Sequence, residues 1–507
     1  MASAPTKQVV LFPFPAKGHL AAFLSLAGLL HRLLPSTTIT LVSTPANVAA
    51  LRAGAAAAPF LNLHALPFDA AEHGLPPGSD SPDTIIPALI IRLYEAFETL
   101  RPAFDGFIAS SLAVAGRGWE EDACSADPVP GGPRVVVVSD VFVAWTVEVA
   151  RRHGCGHAFF VSCGAFGSAV LHSLLTHFPL RPEETTGRVL LPEYPDVVIH
   201  RSQVSVRMLH RPPAAGATDH DGGGSQANRR TTFFDRQLPH GYNTDAVLVN
   251  TVAELEPAGL AMLARTLKVP VWPVGPLTRD AATDRPDDDD AAVALRWMDA
   301  QPPGSVLYVS FGTNGMLRAE HMLELAAALE SSGRSFVWKI KPPADEPGHD
   351  HHHHNNDSWL PEGFEERVTA SGKGLLVRRW APQVSILAHP STAAFLSHCG
   401  WNSALESLAH GVPIIGWPLA AEQWYNAMVL ENLGACVEVA RGSGDGTVVG
   451  RRRVAEVVET VMGDTAKGRD MRRRVQELRR VMLDAWSDDG GSSIEASQAF
   501  LEAMKLK

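Results

Sequence analysis

Cysteine is scarce and unpatterned in this 507-residue chain: Cys124, Cys155, Cys163, Cys399 and Cys436 are odd in number and no two stand as CxxC. That excludes a disulfide framework and a structural zinc site, and it points to a reducing compartment. No apolar run approaches the ~20 residues needed to span a bilayer. Before the short, proline-broken stretch Val9–Pro15 there is only Lys7, a poor signal peptide. The expectation is a cytosolic protein without a membrane span. Basic residues are outnumbered, 44 Lys and Arg against 55 Asp and Glu, for a net charge of -11. With no basic stripe, nucleic acid is excluded as a partner. The common nucleotide and hydrolase fingerprints are missing too. No GxGxxG follows an early strand, a P-loop would need glycine at Arg367 and Ser or Thr where Gly374 stands, and neither GxSxG nor HExxH occurs.

What is present is an alternation of short apolar runs with helical periods, in a chain long enough for two domains. Gln8–Pro15 reads as a buried strand that opens into Ala16-Lys17-Gly18-His19 and a helix to about Leu34. Thr38–Ser43 and Leu61–Leu66 are further strands, Asp83–Phe107 a helical stretch, and Val135–Val138 (VVVV) a central strand ending at Ser139-Asp140. His157–Ser162 and Ala246–Asn250 follow as strands. Between them residues 183–232 are turn-rich and read as a surface loop region, disordered in part, that includes Asp219-His220-Asp221 and Gly222–Gly224. Val271–Leu277 and the acidic run Asp287–Asp290 read as the connection to a second half that starts again at Ser305–Ser310, with helix His321–Ser331 and strand Ser335–Ile340. The His-rich run His349–Asn356 reads as a solvated loop, and Gly442–Gly446 as a turn. The expected domains are 1–256, a linker region 257–300, 301–485, and a C-terminal helix in 486–507 that folds back on the first.

The densest signal lies between Trp380 and Gln423. A strand, Ala393–Ser397, feeds a tight turn, His398-Cys399-Gly400, and a helix from Trp401 to His410 stopped by Gly411 and Pro413. A helix N-terminus at the end of a strand gathers free N–H groups and positive dipole, which suits a phosphate. Asn402 and Ser403 stand in the first turn to donate to the same oxygens. Glu406, on their face one turn deeper, suits a pair of ribose hydroxyls. Trp380 offers a surface for a base, and Glu422-Gln423 offers polar groups for a sugar.

Over its full 44 positions, without a gap, this segment resembles the secondary-product box of the plant family 1 UDP-sugar-dependent glycosyltransferases. The resemblance implies two Rossmann-like α/β domains facing across a cleft, the GT-B arrangement, with acceptor in the first and donor in the second. It implies Trp380, Ala381 and Gln383 at the uridine and Glu406 at the ribose. Gly312, Thr313, His398, Gly400, Asn402 and Ser403 would hold the diphosphate, and Trp401, Glu422 and Gln423, with Ser162, would meet the sugar. A closing Gln favours UDP-glucose as co-substrate, with no other cofactor. Three positions depart from the family pattern: Ala22 where Pro is frequent, Lys17 in place of Gln or Ser, and Thr313 where Ser is common.

Sugar transfer to a hydroxyl needs a base. His19 is the candidate, kept neutral by the helix dipole, with Asp140 to orient it as the third group of a triad does. Phe14, Phe142 and Phe166 are expected to line the acceptor site. The reading is an inverting, metal-independent UDP-glycosyltransferase acting as a monomer on a small lipophilic acceptor such as a flavonoid, other phenolic or terpenoid. The alternatives are a catalytically silent sugar-nucleotide or small-molecule binding protein on the same fold, and a nicotinamide-dependent oxidoreductase.

Overall fold

The structure, a computed structural model, describes residues 7–53, 58–86, 89–116, 135–178, 180, 182–205, 226–278, 289–313, 315, 317–343, 359–440 and 448–507. Cys124, the Asp219–Gly224 run, Asp287, the His349–Asn356 tract and the Gly442–Gly446 turn lie outside these residues.

The first half alternates strands and helices: β1 (Gln8–Phe12), α1 (Lys17–Leu33), β2 (Thr38–Ser43), α2 (Pro45–Ala53), β3 (Leu61–Ala65), α3 (Ile90–Glu98), α4 (Arg101–Gly116) and β4 (Val135–Ser139). It continues with α5 (Thr146–Arg152), β5 (Gly156–Val161), α6 (Ala165–Thr176), the short pair β6 (Arg188–Val189) and β7 (Ile199–His200), α7 (Gln226–Gly241), β8 (Ala246–Val249), α8 (Pro257–Leu267) and β9 (Val271–Pro273). Seven strands form one parallel sheet in the order β3-β2-β1-β4-β5-β8-β9. Every residue of β4 is buried, as a strand covered by helices on both faces requires.

The second half repeats the plan. It runs α9 (Asp289–Asp299), β10 (Val306–Ser310), α10 (Ala319–Ser332), β11 (Ser335–Lys339), α11 (Phe364–Ala370), β12 (Gly374–Val377), α12 (Gln383–Ala388), β13 (Thr392–Ser397), α13 (Trp401–Ala409), β14 (Ile414–Gly416), α14 (Gln423–Asn432) and β15 (Cys436–Glu438). Helices α15 (Arg451–Met462), α16 (Ala466–Asp484) and α17 (Ser492–Ala503) close the chain. The second sheet is also parallel, in the order β12-β11-β10-β13-β14-β15. The fold is thus α/β with two parallel-sheet domains.

In each sheet the strand order reverses once, between β1 and β4 and between β10 and β13. Helices there leave on opposite faces, so a crevice opens at the strands' carboxyl ends. The first crevice is bounded by Pro13–His19 and Asp140, the second by Phe311–Thr313 and His398–Gly400.

Three expectations need correction. The helical stretch expected over 83–107 is broken: α3 starts only at Ile90, and α4 follows it separately, because Pro102 lacks the N–H that a continuous helix would use and instead suits the first turn of α4. Residues 183–232 are not wholly irregular: β6 and β7 pair antiparallel, and α7 begins at Gln226. What orders the hairpin is tertiary, with Ile199 buried and the Tyr194 hydroxyl donating to Met262 O at 3.0 Å. The stretch expected as linker, 257–300, holds α8 and β9, which belong to the first sheet, and α9, which packs on the second through Ala294 and Met298.

The C-terminal helix α17 lies on the first sheet. Phe500, Leu501, Met504 and Leu506 join the core built on Val9, Leu11 and Val136, and Phe500 meets Trp272 of β9 edge-on at 5.7 Å.

Candidate functional site

His19 is the third residue of α1, at the mouth of the first crevice. Its Nδ1 donates to Asp140 Oδ2 at 2.6 Å. Asp140 is 1% exposed, and its other oxygen accepts the Phe142 N–H at 3.0 Å, so the carboxylate cannot turn away. With Nδ1 used as donor, Nε2 carries the lone pair and is the atom available to a substrate. The dipole expectation is overturned in one respect. Burial does push the imidazole pKa down, but Asp140, by charge and hydrogen bond, and then Glu422, by charge, outweigh it and raise the pKa. Two carboxylates nearby win over a helix end, whose effect is small by comparison.

Around His19 the aromatic rings are layered. Phe142 lies 5.6 Å from the imidazole and Tyr94 stacks on Phe142 at 4.6 Å and 12°. Phe233 continues the stack at 5.3 Å from Tyr94. Phe14 is buried behind this layer, a support for the wall and not its surface. Phe166 is not brought to it. It packs with α6 and α8 in a different core, because Glu256 caps the start of α6 and Gly259 lets α8 approach the Phe166 backbone.

Across the cleft, the turn after β13 closes on the turn after β10. Cys399 adopts a left-handed φ of 62° and Gly312 one of 74°. A Cβ on Gly312 would lie 2.6 Å from His398 Nε2, and one on Gly400 2.4 Å from it, so glycine at both positions is what lets the imidazole fit between two backbones. Burial, and then the Lys341 charge, pull His398 down to about 4, so its ring is neutral at pH 7. Its Nδ1 is buried with no hydrogen-bond partner among the described residues. The first N–H groups of α13 have no carbonyl behind them within the helix. A buried, unpaired ring nitrogen beside a helix N-terminus is a place for an oxygen-rich anion.

Deeper along α13, Glu406 and Ser403 are buried and tied to α12: Gln383 Nε2 donates to Glu406 Oε2 at 2.7 Å and to Ser403 Oγ at 3.0 Å. Trp380, half-buried, and buried Ala381 precede this network. Gln423 Oε1 accepts from the Leu419 and Ala420 N–H groups, each at 3.0 Å, which fixes its amide. The Glu422 carboxyl has a raised pKa, from burial first, opposed by its own backbone hydrogen bond, the His19 charge and a bond to Cys163. Ser162 is buried beside that thiol.

Two expected ligand contacts face elsewhere. Trp401 is 2% exposed, its indole N–H donates to Asn250 O at 2.6 Å, and its ring lies against Gly164. Asn402 donates from Nδ2 to Gly18 O at 2.9 Å and accepts from Asn250 Nδ2 at 3.3 Å. Both side chains join the two domains, because the start of α13 meets the start of α1 and the residue after β8. Asn250, Tyr94, Phe233, Cys163 and Lys341 escaped the sequence reading. Of these, only the aromatic pair Phe233-Phe234 carried a signal, masked by the irregular stretch around it.

A profile of the family described as UDP-glucoronosyl and UDP-glucosyl transferase matches residues 283–472. UDP-glycosyltransferase 92A1 of Arabidopsis thaliana is 35% identical over 99% of this chain and 97% of its own length. Crocetin glucosyltransferase 3 of Crocus sativus is 33% identical over 97% of each. Among solved structures, Phytolacca americana UGT2, complexed with UDP-2fluoro-glucose and pterostilbene, aligns with a TM-score of 0.74 and 26% identity over 99% of this chain and 100% of that one.

Proposed function

Because the chain belongs to the plant family 1 UDP-glycosyltransferases, and is therefore a GT-B transferase that uses a UDP-sugar and a small-molecule acceptor, we propose that it transfers glucose from UDP-glucose to the hydroxyl of a flat, lipophilic acceptor with inversion at C1. The observation that carries this reading is the His19–Asp140 pair, 2.6 Å apart at the first switch point, opposite the His398–Gly400 turn of the second.

In this reading His19 Nε2 takes the proton of the acceptor hydroxyl. The oxygen attacks C1 of the sugar, the bond from C1 to the diphosphate oxygen breaks, and UDP departs with the electron pair. Asp140 holds the tautomer and balances the imidazolium as it forms. Neutral His398 and the free N–H groups of α13 donate to the leaving diphosphate. Glu406 receives the ribose once Gln383 yields its bond. Trp380 stacks on the uracil, and Glu422 with the Gln423 amide meets the sugar hydroxyls. The half-buried Phe142 and Tyr94 rings next to His19, backed by buried Phe14 and Phe233, give the acceptor side an aromatic wall, which supports a flat phenolic acceptor. Attack opposite the leaving group on an α-linked donor yields a β-glucoside.

The test is an assay of UDP release and glucoside formation with a mixed aglycone panel. His19→Ala should lower turnover by roughly 10²–10⁴-fold with donor affinity nearly unchanged, and the product's anomeric proton should report the β-linkage. Unchanged turnover in the variant would remove His19 from this role.

A further inference from the structure

The residues just past β11 carry a cation that points back at the second crevice. Ile340 extends the strand, its N–H pairing with Val377 O, and Lys341 follows with its ammonium donating to Thr313 O. Gly312 and Thr313 are the turn that packs on His398, and Lys341 borders a small cavity there with Gly312, Gly315 and Trp338. An ammonium has three N–H donors, and among the described residues this one commits a single hydrogen bond.

A second lysine approaches from the other domain. Lys17, the first residue of α1, is 69% exposed and stands 4.0 Å from Asp83. Asp83 keeps its Oδ1 buried without a hydrogen-bond partner among the described residues. The start of α1 reaches the first turn of α13: Gly18, next to Lys17, accepts at its carbonyl from Asn402 Nδ2 there at 2.9 Å. In keeping with this, burial first and then the Lys17 charge lower the Lys341 pKa, while Asp83 opposes them. Like charges brought together across a cleft are unfavourable unless an anion lies between them. Asp83 supplies one negative charge, held at the far end of its reach from Lys17. A diphosphate supplies more, and oxygens on both sides.

We propose that Lys341 and Lys17 hold the diphosphate of the nucleotide donor between them, one lysine from each domain, with Asp83 as their counter-charge when no donor is bound. The proposal rests on the UDP-sugar reading above. It gives Lys17 a role toward the donor, where the sequence suggested only a departure from the family pattern.

The test compares the affinities of UDP and uridine, by calorimetry on the full chain, in wild type and variants. Lys341→Met should weaken UDP roughly tenfold to a hundredfold and leave uridine unchanged, as expected for a lost charge-assisted contact in a half-buried site. Lys17→Met, more exposed and better screened, should weaken UDP only severalfold and flatten its salt dependence. Asp83→Asn should tighten UDP at low salt. Lys341→Arg should keep the preference for UDP. A UDP-to-uridine ratio that stays at the wild-type value in both methionine variants would overturn the proposal while leaving the donor reading intact. Wild type that failed to distinguish UDP from uridine would overturn both. A methionine variant that lost its fold would lose uridine as well, and Lys341→Arg then decides, since loss of the UDP preference with uridine binding kept would also count against the proposal.

Discussion

At the scale of single residues, the site is governed by which charges can see His19. Its pKa is raised from 6.5 because Asp140 and Glu422 together outweigh burial. A base must be neutral to act, so kcat/KM should rise with pH through a midpoint above 6.5, the reverse of what the helix dipole alone would give. Asp140→Asn removes the main source of the upward shift and leaves burial, so the midpoint should move down as the rate falls. A pH–rate profile of this variant checks the sign, and a midpoint that stays put would show that Asp140 does not set the proton affinity. The linkage to stability runs the other way. The folded pKa lies above the unfolded one, so the pair stabilises fully below pH 6.5 and less as pH rises through the folded value. His157 behaves oppositely. Buried between Thr244, Thr146 and Ser139, it is lowered to about 3, chiefly by desolvation. Its stabilising contribution is present above pH 6.5 and is lost as pH falls toward 3, so acid melting curves should steepen across that window and His157→Gln should flatten them.

At the scale of elements, the decisive unit is the strand–turn–helix from β13 into α13. The turn works only because two glycines leave room for an imidazole. Gly400→Ala would place a methyl 2.4 Å from His398 Nε2 and must push the ring out. UDP affinity should drop by more than about tenfold, with thermal stability lowered by only ~1–2 kcal/mol, since the strain is local. Calorimetry with UDP checks it, and unaltered affinity would mean that His398 does not face the diphosphate. This unit was legible in the sequence because glycine, proline and the change from a period of two to a period of 3.6 mark its limits. Elements held by distant partners were not legible. The β6–β7 hairpin is only two residues per strand and is ordered by Tyr194 reaching α8, a contact with no local signature. From the sequence Phe166 is expected at the acceptor site with Phe14 and Phe142, and nothing local says otherwise. Its direction follows from Glu256, 90 residues on, holding the first turn of α6.

At the scale of the whole molecule, two sheets of similar plan meet with their switch points facing. The contact is stitched by Asn250, which accepts from Trp401 through its carbonyl and from the Leu277 N–H through its side chain, and also donates to Asn402. From the sequence Trp401 and Asn402 are expected at the ligand, because one segment cannot reveal which side of a helix start faces the other domain. Trp401→Phe keeps the ring and removes the indole donor, leaving Asn250 O buried and unpaired. That should cost ~1–3 kcal/mol of stability and raise the donor KM more than it lowers kcat, as looser domains must be brought together by the donor. Thermal unfolding and steady-state kinetics check this together. Among the described residues no helix is long and apolar enough to cross a membrane, and α17 returns the chain to the first sheet, where the Lys7 ammonium donates to Leu506 O at 3.0 Å.

The most direct test of the central claim is a crystal structure of this protein soaked with UDP. The account predicts the uracil against the Trp380 indole, the ribose at Glu406, and the diphosphate between the Gly312 turn and the start of α13. Nucleotide density anywhere else, with that turn unoccupied, would contradict it.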